Sequence, residues 1–224
     1  MELVEAVNKR KTTRGFKTDP VPQEVLKEIL ENALRAPSWG NTQPWEIIVA
    51  TGKVLEEIKK EFLNKAAEAA SPDLPFPASF PEHIRARLPY ARRQQAQDDR
   101  DPKEVLKERQ EQSSRFYEAP CVIYLLVDRE MYRQDGTNSN VYSVFDCGLI
   151  AQNIMLLAVP HGLSTTAAAA SVRCPDVLRQ KLNIPDSKMI VLGIFVGYPD
   201  PDHPQFSVYS DRAPFDEMVT WCGD

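Results

Sequence analysis

Ala36-Pro37-Ser38-Trp39-Gly40-Asn41-Thr42-Gln43-Pro44-Trp45 joins an amphipathic helix to an apolar strand. Pro37 and Pro44 bracket it, and neither continues a helix. Gly40 permits backbone angles that other residues resist. The turn carries a hydroxyl (Ser38), two carboxamides (Asn41, Gln43) and two indoles (Trp39, Trp45). A rigid turn with flat apolar surface beside neutral donors and acceptors suits a flat, hydrogen-bonding aromatic ligand better than a metal or a proton-transfer site. The alternative is a well-ordered turn whose polar groups satisfy only their own backbone.

Upstream, Val25, Leu26, Ile29, Leu30, Ala33 and Leu34 recur at helical spacing, with Pro22 tolerated in the first turn. Downstream, Ile47 to Ala50 reads as a buried strand ended by Gly52. Lys53 to about Ala70 reads as a helix with Leu55, Ile58, Phe62 and Ala66 on one side. Ser71 to Pro81, with Pro72, Pro75, Pro77, Pro81, Phe76 and Phe80, reads as a loop. Glu82 to Glu118 is densely charged and mostly helix-forming, broken near Pro89 and Pro102. Cys121 to Val127 is a second strand, apolar enough to be buried on both faces. Asn138 to about Val159 reads as a long helix, apolar almost all round and therefore central or at a subunit interface. Gly148 and Ala151 allow a neighbour to approach it closely. Gly162 suits a left-handed cap. Ser164 to Ala170 offers small side chains and an accessible backbone, Pro175 starts another helix, and Met189 to Val196 is a third strand. Helices and strands mix without regular alternation, which predicts an α+β layer fold around a small sheet. Residues 1–224 read as one domain with a helical excursion at about 65–118.

The 224 residues carry a formal net charge of -5, and 42% are hydrophobic, enough for a packed core. The mild acidity argues against nucleic acid as a partner. Cys121, Cys147, Cys174 and Cys222 have no zinc-knuckle or redox-pair spacing, and Cys121 and Cys147 lie in apolar runs that predict buried thiols. Nothing reads as a leader, so the expectation is a cytoplasmic protein. Asp146, Gln152 and Asn153 argue against a membrane span through the apolar stretch around them.

Lys9-Arg10-Lys11-Thr12-Thr13-Arg14-Gly15-Phe16-Lys17 carries five positive charges and no acid. A solvated basic patch is the plain reading of such a run. Interleaved hydroxyls and an adjacent glycine also make it a phosphate cradle. The chain has no P-loop, no dinucleotide-type Gly-rich loop and no nucleophile elbow. His83, His161 and His203 lack metal spacing, so no metal is expected. The basic run at 10–14, the turn at 37–45 and the small-residue segment at 165–170 outline a flavin mononucleotide site.

Arg10-Lys11-Thr12-Thr13-Arg14-Gly15-Phe16 together with Ala36 to Trp45 resembles the FMN-dependent nitroreductase family. The likeness spans the chain: Asp146-Cys147-Gly148 through Gln152-Asn153 is similar to the family's central helix, and His161-Gly162-Leu163-Ser164-Thr165 to its following turn. Ser210-Asp211-Arg212-Ala213-Pro214 resembles the branch that reduces nitrobenzene and nitrobenzoates. The resemblance implies an interlocked homodimer with a mixed or antiparallel sheet flanked by helices, and two FMN sites at the interface. Arg10 and Arg212 would bind the phosphate, with Lys11 and Thr12 at further contacts to phosphate or flavin. Arg14 would stand by flavin N1 and the C2 carbonyl. Pro37, Ser38, Trp39 and Asn41 would meet the cofactor from the other subunit, with Gln43 in support. Backbone amides near Ala168 and Ala169 would reach N5 and the C4 carbonyl. Trp39 stands where the family often has a small residue and would wall the substrate pocket. Phe76, Phe80 and His83 are further candidate substrate contacts, and Tyr90 and Tyr117 join Phe76 and Phe80 as lid candidates.

These implications predict reduction of nitroaromatics through nitroso to hydroxylamino products. NAD(P)H would be the co-substrate in ping-pong hydride transfer through N5, and no catalytic side chain is required. FMN-dependent quinone, enone or flavin reduction is the alternative enzyme reading, and a non-catalytic flavin-binding dimer the alternative from another class.

Overall fold

The computed structural model describes residues 1–85, 87, 101–132, 140–203 and 212–223. In chain order its elements are α1 (Leu3–Lys9), α2 (Gln23–Ala33), β1 (Trp45–Thr51), α3 (Gly52–Asn64), α4 (Glu82–Arg85), α5 (Pro102–Ser114), β2 (Cys121–Asp128), α6 (Tyr142–Ala158), β3 (Ser164–Ala168), α7 (Pro175–Leu182), β4 (Lys188–Gly197) and α8 (Phe215–Met218). The strands form one antiparallel sheet in the order β1-β2-β4-β3. Trp45 pairs with Val127, Cys121 with Val196, and Ser164 with Gly197. A register shift falls between Leu125 and Leu126.

The sheet explains why β2 is almost wholly apolar. Side chains alternate between faces along a strand. Cys121, Ile123, Leu125 and Val127 enter one core with α2 and α6, and Val122, Tyr124 and Leu126 enter a second with α3 and α7. Both cores are closed, so neither set of β2 residues has a wet face. The amphipathic readings of α2 and α3 are borne out: Leu26, Ile29 and Ala33 are buried in one, Leu55, Ile58 and Phe62 in the other.

Several boundaries differ from the sequence reading. Pro22 caps α2 rather than entering it. α3 ends at Asn64, leaving Ala66 outside. Pro102 starts α5 instead of breaking a helix, because Asp101 accepts the Lys103 N–H at 2.8 Å as its cap. The 164–170 segment is partly a strand: its small residues pair with β4, and a short helical turn over Ala169–Val172 follows. Strand propensity was weak there, and pairing decided the outcome.

α6 buries Asp146, Cys147, Ile150, Ala151, Ile154 and Ala158. Tyr142–His161 has the length and hydropathy of a membrane span. It packs instead against α2, β3 and the sheet. Its other face stays open, with Phe145 61% exposed beside uncovered Val141 and Tyr142. α1 packs on α6 and is itself apolar outward, with Val4 71% exposed. Apolar side chains left uncovered side by side are uncommon on a surface with no partner.

Candidate functional site

The basic run leaves α1 and is stitched along the free edge of β3. Thr12 bridges Thr165 in parallel, and the Thr13 N–H donates to the Thr165 carbonyl at 3.2 Å. The Thr166 hydroxyl donates to the Thr13 carbonyl. Further on, Phe16 N–H donates to the Tyr117 carbonyl (3.0 Å), Lys17 N–H to Tyr198 (2.9 Å) and Asp200 N–H to the Gly15 carbonyl (3.0 Å). Gly15 has φ +153, and a Cβ there would lie 2.4 Å from the Cβ of His203. Both facts require glycine. The folding logic is that Thr13, Gly15 and Phe16 are buried as anchors, while Arg10, Thr12 and Arg14 remain half-buried beside them.

Arg10 and Arg14 have no carboxylate partner among the described residues. Arg10 sits below the usual arginine range, first because burial disfavours its charge and second because Arg212 stands near it. The tail thus returns a second guanidinium to the first. Lys11 is exposed, Ala168 is buried on β3, and Ala169 is exposed just after it.

The second half of the site is the 36–45 turn. Gly40, Asn41 and Gln43 take left-handed backbone angles, with φ 57, 56 and 47. Ser38 Oγ accepts the Gln43 N–H at 2.9 Å, and the Gln43 amide donates to Asn41 Oδ1 at 3.3 Å. The carboxamides are therefore satisfied in part by the turn itself, as the plain reading of this stretch expected. The turn is also tied outward: both oxygens of buried Asp146 on α6 lie 3.2 Å from the Trp39 N–H. Pro37, Trp39, Asn41 and Gln43 remain exposed.

The structure therefore places Arg10, Thr12 and Arg14 on a strip beside β3, with Arg212 near Arg10 and Ala168 and Ala169 at the end of that strand, and holds Ser38, Trp39, Asn41 and Gln43 in a separate turn. No hydrogen bond joins the halves among the described residues. Phe76 and Phe80 are exposed in the loop after α3 and His83 is exposed on α4; none makes a ring contact with Trp39 among the described residues. Tyr117 packs on His203 and Phe195. Tyr90, Ser210 and Asp211 lie outside the described residues. Sequence reading did not link Asp146 to Trp39 or His203 to Gly15. An acid within an apolar helix was the available signal for the first, and only tertiary structure supplies the second.

Residues 7–198 match the profile of the Nitroreductase family. The chain belongs to the nitroreductase family. The nitrobenzene nitroreductase of Ectopseudomonas oleovorans is 33% identical, over 96% of this chain and 94% of that protein. The chloronitrobenzene nitroreductase of Comamonas testosteroni is 31% identical over the same shares. The crystal structure of the FMN-dependent nitroreductase NfnB from Mycobacterium smegmatis in complex with NADPH superposes with TM-score 0.87 at 27% identity, covering 99% of this chain and 100% of that one. The α+β arrangement described above is thus the nitroreductase fold.

Proposed function

We propose that this nitroreductase reduces small nitroaromatics of the nitrobenzene or nitrobenzoate class to hydroxylamino products, using FMN and NAD(P)H. The supporting observation is the placement of Arg10 beside Arg212, with Arg14 close in sequence on the same strip. Half-buried Arg10 and Arg14, with no carboxylate partner among the described residues, and the neighbouring Arg212 fit a phosphate dianion and the electron-rich edge of a flavin. Names of similar proteins point the same way.

Arg10, Lys11, Thr12 and Arg212 hold the phosphate. Arg14 stands at the N1 and C2-carbonyl edge, where a fixed positive charge stabilises negative charge without reorganisation. Amides at Ala168 and Ala169 orient the opposite edge. Pro37, Ser38, Trp39, Asn41 and Gln43 complete the site from a second copy, which explains why one chain holds them apart from the cradle. The open apolar faces of α1 and α6 form the dimer interface. Trp39, Phe76, Phe80 and His83 border the acceptor. We assign residues 1–224 to one domain with an excursion at about 65–118, located in the cytoplasm.

FMN, when bound, supplies hydride transfer from NAD(P)H to the acceptor in ping-pong order through N5. The first equivalent of NAD(P)H and a solvent proton convert nitro to nitroso with loss of water; the second pair converts nitroso to hydroxylamine.

Purified protein is expected to be yellow, to bleach on anaerobic addition of NADPH or NADH, and to regain colour with nitrobenzene while phenylhydroxylamine accumulates. Recolouring by a quinone but not by nitrobenzene would favour the alternative acceptor. Flavin that neither nicotinamide bleaches would refute catalysis.

A further inference from the structure

Asp146 is 1% exposed within an otherwise apolar stretch of α6. Burying a carboxylate is costly unless its charge is used. Its described hydrogen bonds go to one group, the Trp39 N–H, which both oxygens approach at 3.2 Å. One turn earlier on the same helix, Tyr142 stacks on the Trp39 ring, with centroids 5.9 Å apart and planes at 20°. Residues four apart share a helix face, so Tyr142 and Asp146 address the same neighbour. Thr42 Oγ1 donates to the Trp39 carbonyl at 2.9 Å and closes the turn behind it. Trp39 is thus held at its amide, its carbonyl and its ring, yet it is 60% exposed. A large flat side chain that is fixed and left uncovered is a surface for another flat group.

We infer that Asp146 and Tyr142 are positioning residues that lock Trp39 as a rigid wall of the acceptor pocket, and that this rigidity sets the upper size of the nitroaromatic accepted. The inference rests on the nitroaromatic-reduction reading above. Neither residue is assigned a contact with the reacting atoms; each acts through Trp39. A wall able to swing aside admits a larger ring, whereas a fixed one excludes it. Freeing the indole therefore changes the choice between acceptors more than the rate with the smaller one.

The test compares kcat/KM for 1-nitronaphthalene and nitrobenzene in FMN-loaded protein. Trp39→Ala is expected to raise the naphthalene-to-benzene ratio about tenfold, the scale on which apolar pockets discriminate by size. Asp146→Ala and Tyr142→Ala should each raise it in the same direction, and neither should raise it further in the Trp39→Ala background. Asp146→Asn retains an oxygen that accepts the Trp39 N–H and should keep the wild-type ratio. If Asp146→Ala does not fold, Tyr142→Ala decides the matter alone, in protein that sediments as the wild type does. Equal losses on both substrates, or additive effects with Trp39→Ala, overturn the inference while leaving a yellow, NADPH-bleachable enzyme. A wild-type protein without flavin chemistry overturns the underlying functional reading instead.

Discussion

Arg10 and Arg212, from opposite ends of the chain, stand close enough that the second cation lowers the proton affinity of the first. Burial acts on Arg10 in the same direction and more strongly. Folding thus sets a second cation near a guanidinium that is itself half-buried, so a negative charge approaching Arg10 is favoured. The strip between Arg10 and Phe16 is held by main-chain bonds to Thr165, Tyr117 and Tyr198, so the guanidiniums do not have to supply its structure. They are left for a ligand.

Tyr124 offers a test of the core. Its hydroxyl is buried with no hydrogen-bond partner among the described residues, and burial pushes the phenol far above its ordinary titration range. An unsatisfied buried hydroxyl costs roughly 1 to 3 kcal/mol, so Tyr124→Phe should stabilise the chain by about 1 kcal/mol in urea unfolding. A loss of stability would mean that the hydroxyl has a partner.

Gly148 tests the open face of α6. It lies on the stripe with Val141 and Phe145, and a Cβ there meets nothing within 4 Å among the described residues of a single chain. Gly148→Leu should therefore leave the lone chain folded. If a second copy packs on this stripe, overpacking by about 1 to 3 kcal/mol should weaken the dimer by about fivefold to a hundredfold in sedimentation equilibrium. An unchanged dimer constant would remove Gly148 from the interface.

The cysteines predict a pH dependence. Burial raises Cys121 to about 12; burial and then the Asp146 charge raise Cys147 to about 12. In the unfolded chain both lose their proton near the ordinary value of 9.0. The folded-state values are raised, so stability is full below the ordinary value and falls as pH climbs towards 12. Urea midpoints at pH 8 and pH 10.5 should show the fall. At pH 8 the exposed thiol of Cys222 should react with a disulfide reagent well before buried Cys121, Cys147 and Cys174.

Much of this was legible from residue pattern. The period of Leu26, Ile29 and Ala33 gave α2, and the unbroken apolar run of β2 gave its burial on both faces. The charges at 10–14 and the 36–45 turn were recognisable because guanidinium forks, interleaved hydroxyls and a glycine-bearing aromatic turn are local signals. What was hidden was non-local. β3 was invisible because Thr165 and Ala167 become strand only by pairing with Val196 and Ile194. The Asp146 grip on Trp39 spans two distant segments, and the packing of His203 over Gly15 depends on how the tail returns. No periodicity encodes such contacts.

The most direct test of the phosphate cradle compares FMN with riboflavin, which lacks the phosphate, by fluorescence titration of the apoprotein. Charge-assisted bonds of about 1.5 to 3 kcal/mol each predict FMN binding at least about a hundredfold tighter than riboflavin, with most of that margin lost in Arg10→Ala and in Arg212→Ala. Equal affinities for the two flavins, or a margin that survives both substitutions, would contradict the account.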